Sequence, residues 1–119
     1  MKIMIIDDSK HIQTLVADML KEMGHETVGA LDGQEAINIL KDGTQVDLIL
    51  LDWNMPNIDG PSFLKANQDE SLTLSPIVMM TTETGLDKIT KAIELGAKEY
   101  IMKPFTQDII ESKIKMVTE

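Results

Sequence analysis

Apolar positions along the chain fall into two alternating patterns. Lys2–Ile6, Val46–Leu51, Pro76–Met80 and Glu99–Met102 are short runs in which the apolar residues are mostly continuous. Continuous rather than alternating apolarity marks strands covered on both faces, as in a parallel sheet. A weaker strand fits at Glu26–Ala30. Between these runs the spacing changes to that of helices. Ile12, Leu15, Val16, Met19, Leu20 and Met23 recur at i, i+3, i+4 and i+7, the stripe of an amphipathic helix. Shorter stripes follow at Ala36, Ile37 and Leu40, and at Phe63, Leu64 and Ala66. Leu86, Ile89, Ala92, Ile93 and Leu95 form a fourth, and Ile109, Ile110, Ile114 and Val117 a fifth.

Punctuation supports these elements. Gly24, Gly43 and Gly96 each stand just past a stripe, where a left-handed cap residue belongs. Ser9 is a candidate N-cap, and Pro61 suits a first helical position. Strand then helix, repeated five times, predicts parallel strands joined by right-handed crossovers, hence a doubly wound α/β sheet. The chain shows no linker, repeat or low-complexity stretch, and the last helical stripe runs to its end. One domain over residues 1–119, without an output domain, is expected.

Composition narrows the partners. The 119 residues carry a formal net charge of −9, which repels nucleic acid and anionic membrane surfaces. Every basic residue is lysine, so no guanidinium fork is available for phosphate or base edges. The absence of cysteine excludes a disulfide frame, a thiolate nucleophile and a Cys-based zinc site. No apolar run approaches the roughly 20 residues of a membrane span. A soluble cytoplasmic domain is expected.

The polar residues at the strand ends carry the candidate chemistry. In an open doubly wound sheet, ligands sit beyond the carboxyl ends of the strands. Here the first strand ends in Asp7-Asp8, the third in Asp52, the fourth in Thr81-Thr82 and the fifth in Lys103-Pro104. Each alone has an ordinary explanation: a helix-terminal charge, a turn former, a strand end, a surface lysine. Their coincidence at successive strand ends does not. Two carboxylates ~4 Å apart repel by roughly 4 kcal/mol at an effective dielectric near 20, so such a site needs a cation. Lys103 supplies one charge. A hard divalent ion with oxygen ligands, such as Mg²⁺, would supply the rest, an arrangement suited to phosphoryl transfer.

These motifs resemble the receiver domain of two-component response regulators, and within it the stand-alone, CheY-like members. The resemblance is carried by "IIDDS" at Ile5–Ser9, "DWNMPNIDG" at Asp52–Gly60, "MMTTE" at Met79–Glu83 and "YIMKPF" at Tyr100–Phe105. It implies the flavodoxin-like strand order 2-1-3-4-5 with five helices. Asp52 would be the phosphoacceptor. Asp8 would ligate Mg²⁺ directly, Asp7 directly or through water, and the Asn54 backbone carbonyl would be a further ligand beside Asp52. Lys103 would contact a phosphoryl oxygen, Thr81 would hydrogen-bond another, and Tyr100 would change rotamer as Thr81 moves. The Lys103–Pro104 bond would be cis. The implied partners are a CheA-like histidine kinase and a downstream target, such as a flagellar switch or a phosphatase. The face from Thr84 to Tyr100 with the last helix is expected to bind that target. The protein is expected to be a monomer, and a phosphoacceptor that assists its own phosphorylation and dephosphorylation rather than an enzyme.

Two departures stand out. Gly85-Leu86 occupies the place where chemotaxis members commonly carry a lysine pair, and Ser9 replaces an aromatic residue. Glu83 falls where receivers tune self-dephosphorylation. Trp53 suits either a place over the site or partial burial as a packing residue. Three rivals fit less well. A metal-dependent phosphatase would want two aspartates separated by one residue, and a substrate cap. A flavin-nucleotide binder would want a Ser/Thr/Gly cradle where this chain has Asp7-Asp8-Ser9-Lys10-His11. A receiver-shaped module that is never phosphorylated would carry a degraded site, and here every position is filled. A phosphorelay intermediate outside chemotaxis fits the same residues.

Overall fold

The computed structural model describes residues 1–82 and 86–118. Five strands, β1 (Lys2–Ile6), β2 (Glu26–Ala30), β3 (Leu48–Asp52), β4 (Ile77–Thr81) and β5 (Glu99–Met102), alternate with five helices. The helices are α1 (Lys10–Glu22), α2 (Gly33–Lys41), α3 (Gly60–Glu70), α4 (Leu86–Glu94) and α5 (Gln107–Thr118). The strands form one parallel sheet in the order β2-β1-β3-β4-β5, as expected. The chain steps from β1 outward to β2 and then returns to β3 on the far side of β1. That reversal opens a crevice at the carboxyl ends of β1 and β3.

Burial explains the continuous apolar runs. β3 and β4 are buried at every position. Successive side chains point to opposite faces, so each strand feeds two cores. Met4, Ile6, Ile49, Leu51 and Met79 pack with Ala36, Ile37, Phe63, Leu64 and Ala92 of α2, α3 and α4. Ile3, Ile5, Leu48, Leu50, Met80 and Ile101 pack with Val16, Leu20, Ile110 and Ile114 of α1 and α5.

Gly24, Gly43 and Gly96 adopt φ of 89°, 96° and 112°, the left-handed conformation their positions demanded. Ser9 caps α1, its Oγ accepting from the Ile12 N–H at 3.3 Å. Pro61 lies in the first turn of α3. Four strand limits differ from those read in the chain: β3 runs to Asp52 rather than Leu51 and β4 to Thr81 rather than Met80, and both start later. β3 starts at Leu48, because the Asp47 N–H donates to the Lys2 carbonyl (2.7 Å) and the Lys2 N–H to the Asp47 carboxylate (2.8 Å), leaving buried Val46 before the strand. β4 starts at Ile77, since Pro76 has no N–H to give, although its carbonyl accepts from Ile49 at 3.0 Å. Among the described residues, three members of the helical stripes, Leu15, Ile93 and Ile109, stay exposed. No described helix is long and apolar enough to cross a membrane.

Candidate functional site

Strand alternation assembles the site. Asp7 continues the β1 row of Ile3 and Ile5, Asp52 the β3 row of Leu48 and Leu50, and Lys103 the row of Ile101. All three therefore emerge on the α1/α5 side of the sheet. Lys103 Nζ donates to Asp52 Oδ1 at 2.8 Å and to Asp7 Oδ2 at 3.1 Å. Asp7 Oδ1 accepts from the Ser9 N–H at 2.9 Å, so both oxygens of this buried carboxylate are engaged. Asp8 is exposed at the mouth. Asp7, Asp8 and Asp52 each offer a carboxylate oxygen, and these atoms lie within 4.8 Å of one another. Two buried carboxylates and one exposed, all hard oxygen donors, fit a small divalent cation open to water on one side.

The electrostatics show what this crowding does. Burial pushes the Asp52 carboxyl above its ordinary value; the hydrogen bond from Lys103 opposes this, and Asp7 and Asp8 add to it. Burial works against the Lys103 ammonium too, but its bonds and attraction to Asp52 and Asp7 outweigh burial and raise its pKa. One lysine is shared between carboxylates that also repel each other, so the site carries uncompensated negative charge.

Residues 3–115 match the family model of the response regulator receiver domain. The chain belongs to the response regulator receiver domain family. It is 36% identical to the chemotaxis protein CheY of Pseudomonas aeruginosa, across 100% of this chain and 97% of that one. It is 33% identical to a CheY homolog of Campylobacter jejuni, across 98% and 92%. The crystallised chemotaxis protein CheY4 of Vibrio cholerae superposes with a TM-score of 0.89 at 32% identity, covering 98% of this chain and 97% of that one.

In this receiver the remaining expected residues lie farther out. Thr81 is buried at the end of β4, paired in register with Met102, and its carbonyl accepts from the Lys103 N–H at 2.8 Å. It continues the row of Met79, hence the opposite face of the sheet from Asp52. Tyr100, half-buried on β5, stands opposite Met79 in register and packs against that same core. Lys103–Pro104 is cis. Asn54 is exposed in the loop after β3. Trp53 is partly buried against the α2–α4 core, which favours the packing role. Glu83, Thr84 and Gly85, which bear on dephosphorylation, the target face and the missing lysine pair, lie outside the described residues.

Three supporting contacts carried no signal in the chain. Asn57 adopts φ of 67° in the loop after β3, and its Nδ2 donates to Asp32 Oδ2 at 3.3 Å, tying that loop to the N-cap of α2. A Cβ on Gly60 would come within 2.8 Å of the Asp52 carbonyl, so glycine there lets α3 start against the strand end. Lys113 of α5 lies 5.1 Å from the Tyr100 ring centroid and 3.3 Å from Glu99 Oε1. An Asn beside a Pro, a Gly in a loop and a helical Lys are too common to announce such roles.

Proposed function

We propose that this receiver accepts a phosphoryl group on Asp52 from a histidine kinase of the CheA type, in the cytoplasm, and that phosphorylation switches its binding to a downstream protein in chemotaxis or motility. One observation carries the reading: a buried carboxylate at a strand end, held by Lys103 and crowded by two more carboxylates. An Asp52 oxygen attacks phosphorus, the phosphorus–nitrogen bond to the kinase histidine breaks, and the imidazole leaves with its electron pair. Positioning and charge neutralisation dominate such transfers. β3 supplies the positioning, since it is buried at every residue. Mg²⁺, held by Asp7, Asp8, Asp52 and the Asn54 carbonyl, would neutralise phosphoryl oxygens in the transfer.

Lys103 already bonds the attacking carboxylate and follows the charge onto a phosphoryl oxygen. Thr81, one hydrogen-bonded row away, donates to another. Its movement draws Tyr100 and biases a pre-existing equilibrium on α4, β5 and α5. The exposed apolar side chains Ile93 and Met116 on α4 and α5 suit that face to a protein target.

Intact-protein mass after incubation with Mg²⁺ and acetyl phosphate tests the reading, with Asp52→Asn alongside. A gain of one phosphoryl group that requires Mg²⁺ and disappears in Asp52→Asn is expected. No gain in the unaltered protein, with acetyl phosphate or with a phosphorylated kinase, would favour a receiver-shaped binding module instead.

A further inference from the structure

Gln13 makes a set of contacts that helix formation does not require. It closes the first turn of α1, its N–H donating to the Ser9 carbonyl at 3.0 Å. Its side chain turns back to the sheet, where Nε2 lies 2.7 Å from the Ala30 carbonyl, 2.8 Å from that of Ile5 and 3.2 Å from that of Asp7. Three acceptors face one amide, so nitrogen, not oxygen, must point at them. The Ala30 carbonyl also accepts the Asp7 N–H at 3.0 Å. The peptide groups on both sides of Asp7 are thus tied into one node. The second of these joins Asp7 to Asp8, and its plane sets the direction of both carboxylates.

An independent observation comes from β2. A Cβ on Gly29 would lie 2.8 Å from Gln13 Oε1. Gly29 does not adopt a positive φ, unlike Gly24, Gly43 and Gly96. A methyl group there would meet the Gln13 amide rather than backbone, so it would have to displace that amide.

We infer that Gln13 is a positioning residue for the acidic pair, holding the Asp7–Asp8 peptide so that both carboxylates converge with Asp52, and that Gly29 makes room for it. The inference rests on the reading that these carboxylates hold Mg²⁺. Outer groups that orient metal ligands typically govern affinity by about 10–100-fold.

The test is calorimetric titration with MgCl₂ on four folded variants. Gln13→Met keeps length and removes the donor. Gly29→Ala displaces the amide without altering it. Gln13→Lys restores a donor. Leu40→Ala loosens the core near the opposite end of the sheet, where Leu40 adjoins Val46 and Asp47. The Mg²⁺ Kd is expected to rise about tenfold or more in Gln13→Met and Gly29→Ala. Gln13→Lys should return to within about threefold of the unaltered protein, and Leu40→Ala should keep the original Kd despite a lower Tm. An unchanged Kd in Gln13→Met overturns the inference alone. So does an equal loss in Leu40→Ala without recovery in Gln13→Lys, which would mean general loosening. An unaltered protein that shows neither heat nor a rise in Tm with Mg²⁺ overturns the inference together with the reading beneath it.

Discussion

Asp52 and Lys103 share one ion pair, yet folding favours the charge of only one of them. Lys103 sees two carboxylates, and its raised pKa means that its stabilising contribution is fully present below the unfolded value, about 10.4, and fades as pH climbs through the folded one. Asp52 sees one ammonium, two like charges and little water. Its raised pKa means that folding favours the protonated form, so its contribution is lost as pH rises from below about 4 through the folded value. At neutral pH the ionised carboxylate therefore opposes folding. Asp52→Asn should raise the Tm of the metal-free protein at pH 7, while Lys103 keeps Asp7 as a partner at 3.1 Å. Mg²⁺ should reverse the ranking. At ten times its Kd the ion stabilises the unaltered protein by about 1.4 kcal/mol, and the Asn variant, short of one charge, by less. Thermal melts with and without MgCl₂ check both signs; a lower metal-free Tm for Asp52→Asn would contradict the account. At this scale the chain was highly legible. Asp7, Asp8, Asp52 and Lys103 could be found because each interrupts an apolar run at a strand end. Gln13, Asn57 and Lys113 could not, because they act on backbone carbonyls, on a carboxylate and on a ring from a distance in sequence, through contacts that only the fold creates.

Elements were legible to within a residue or two, and the errors have a common cause. Apolarity reports burial, whereas a strand is defined by its ladder, so buried Val46 lies outside β3 and polar Asp52 lies inside it. The same distinction hid Gly60, whose importance lies in what a methyl group would meet. Its Cβ would fall 2.8 Å from the Asp52 carbonyl and from the Met79 methyl, and 3.1 Å from Trp53 Cα. Backbone cannot yield as a flexible side chain can. Gly60→Ala should therefore destabilise by about 1–3 kcal/mol and also slow phosphorylation, because β3 moves with its acid. Gly43→Ala is the comparison. Open space surrounds Gly43, so only its left-handed φ of 96° resists a side chain, at about 1–2 kcal/mol, and phosphorylation should be unchanged. The N-cap of the same helix gives a milder case. Asp59 accepts the Ser62 N–H at 2.8 Å, and Asp59→Ala should cost about 1 kcal/mol in a denaturant melt.

Across the whole molecule the sheet divides the proposed phosphorylation residues from the proposed switch residues. Asp7, Asp52 and Lys103 emerge on the α1/α5 side, while Thr81, Met79 and Tyr100 belong to the side packed by α2, α3 and α4. On the proposed function, a signal from Asp52 would have to cross the sheet edge, and Thr81 offers one route, its carbonyl accepting from the Lys103 N–H. Tyr100 lies on the same face, opposite Met79 and two residues before Met102, the register partner of Thr81, and Lys113 of α5 lies over its ring while pairing with Glu99. If, as proposed, charge placed on Asp52 acts on Lys103 first and on Thr81 through it, chemistry and readout should be separable. Thr81→Ala should accept the phosphoryl group from acetyl phosphate at a rate within about threefold of the original, since the neutralising groups that dominate such transfers are intact. It should fail, however, to show the phosphorylation-dependent change in amide hydrogen exchange over α4, β5 and α5. Lys113→Ala should do the reverse. By freeing the Tyr100 ring and Glu99, it should bring part of that exchange change into the unphosphorylated protein, as expected when one of two pre-existing states loses a contact. A Thr81→Ala protein whose exchange pattern responds to phosphorylation like the original would show that the signal leaves Asp52 by another route.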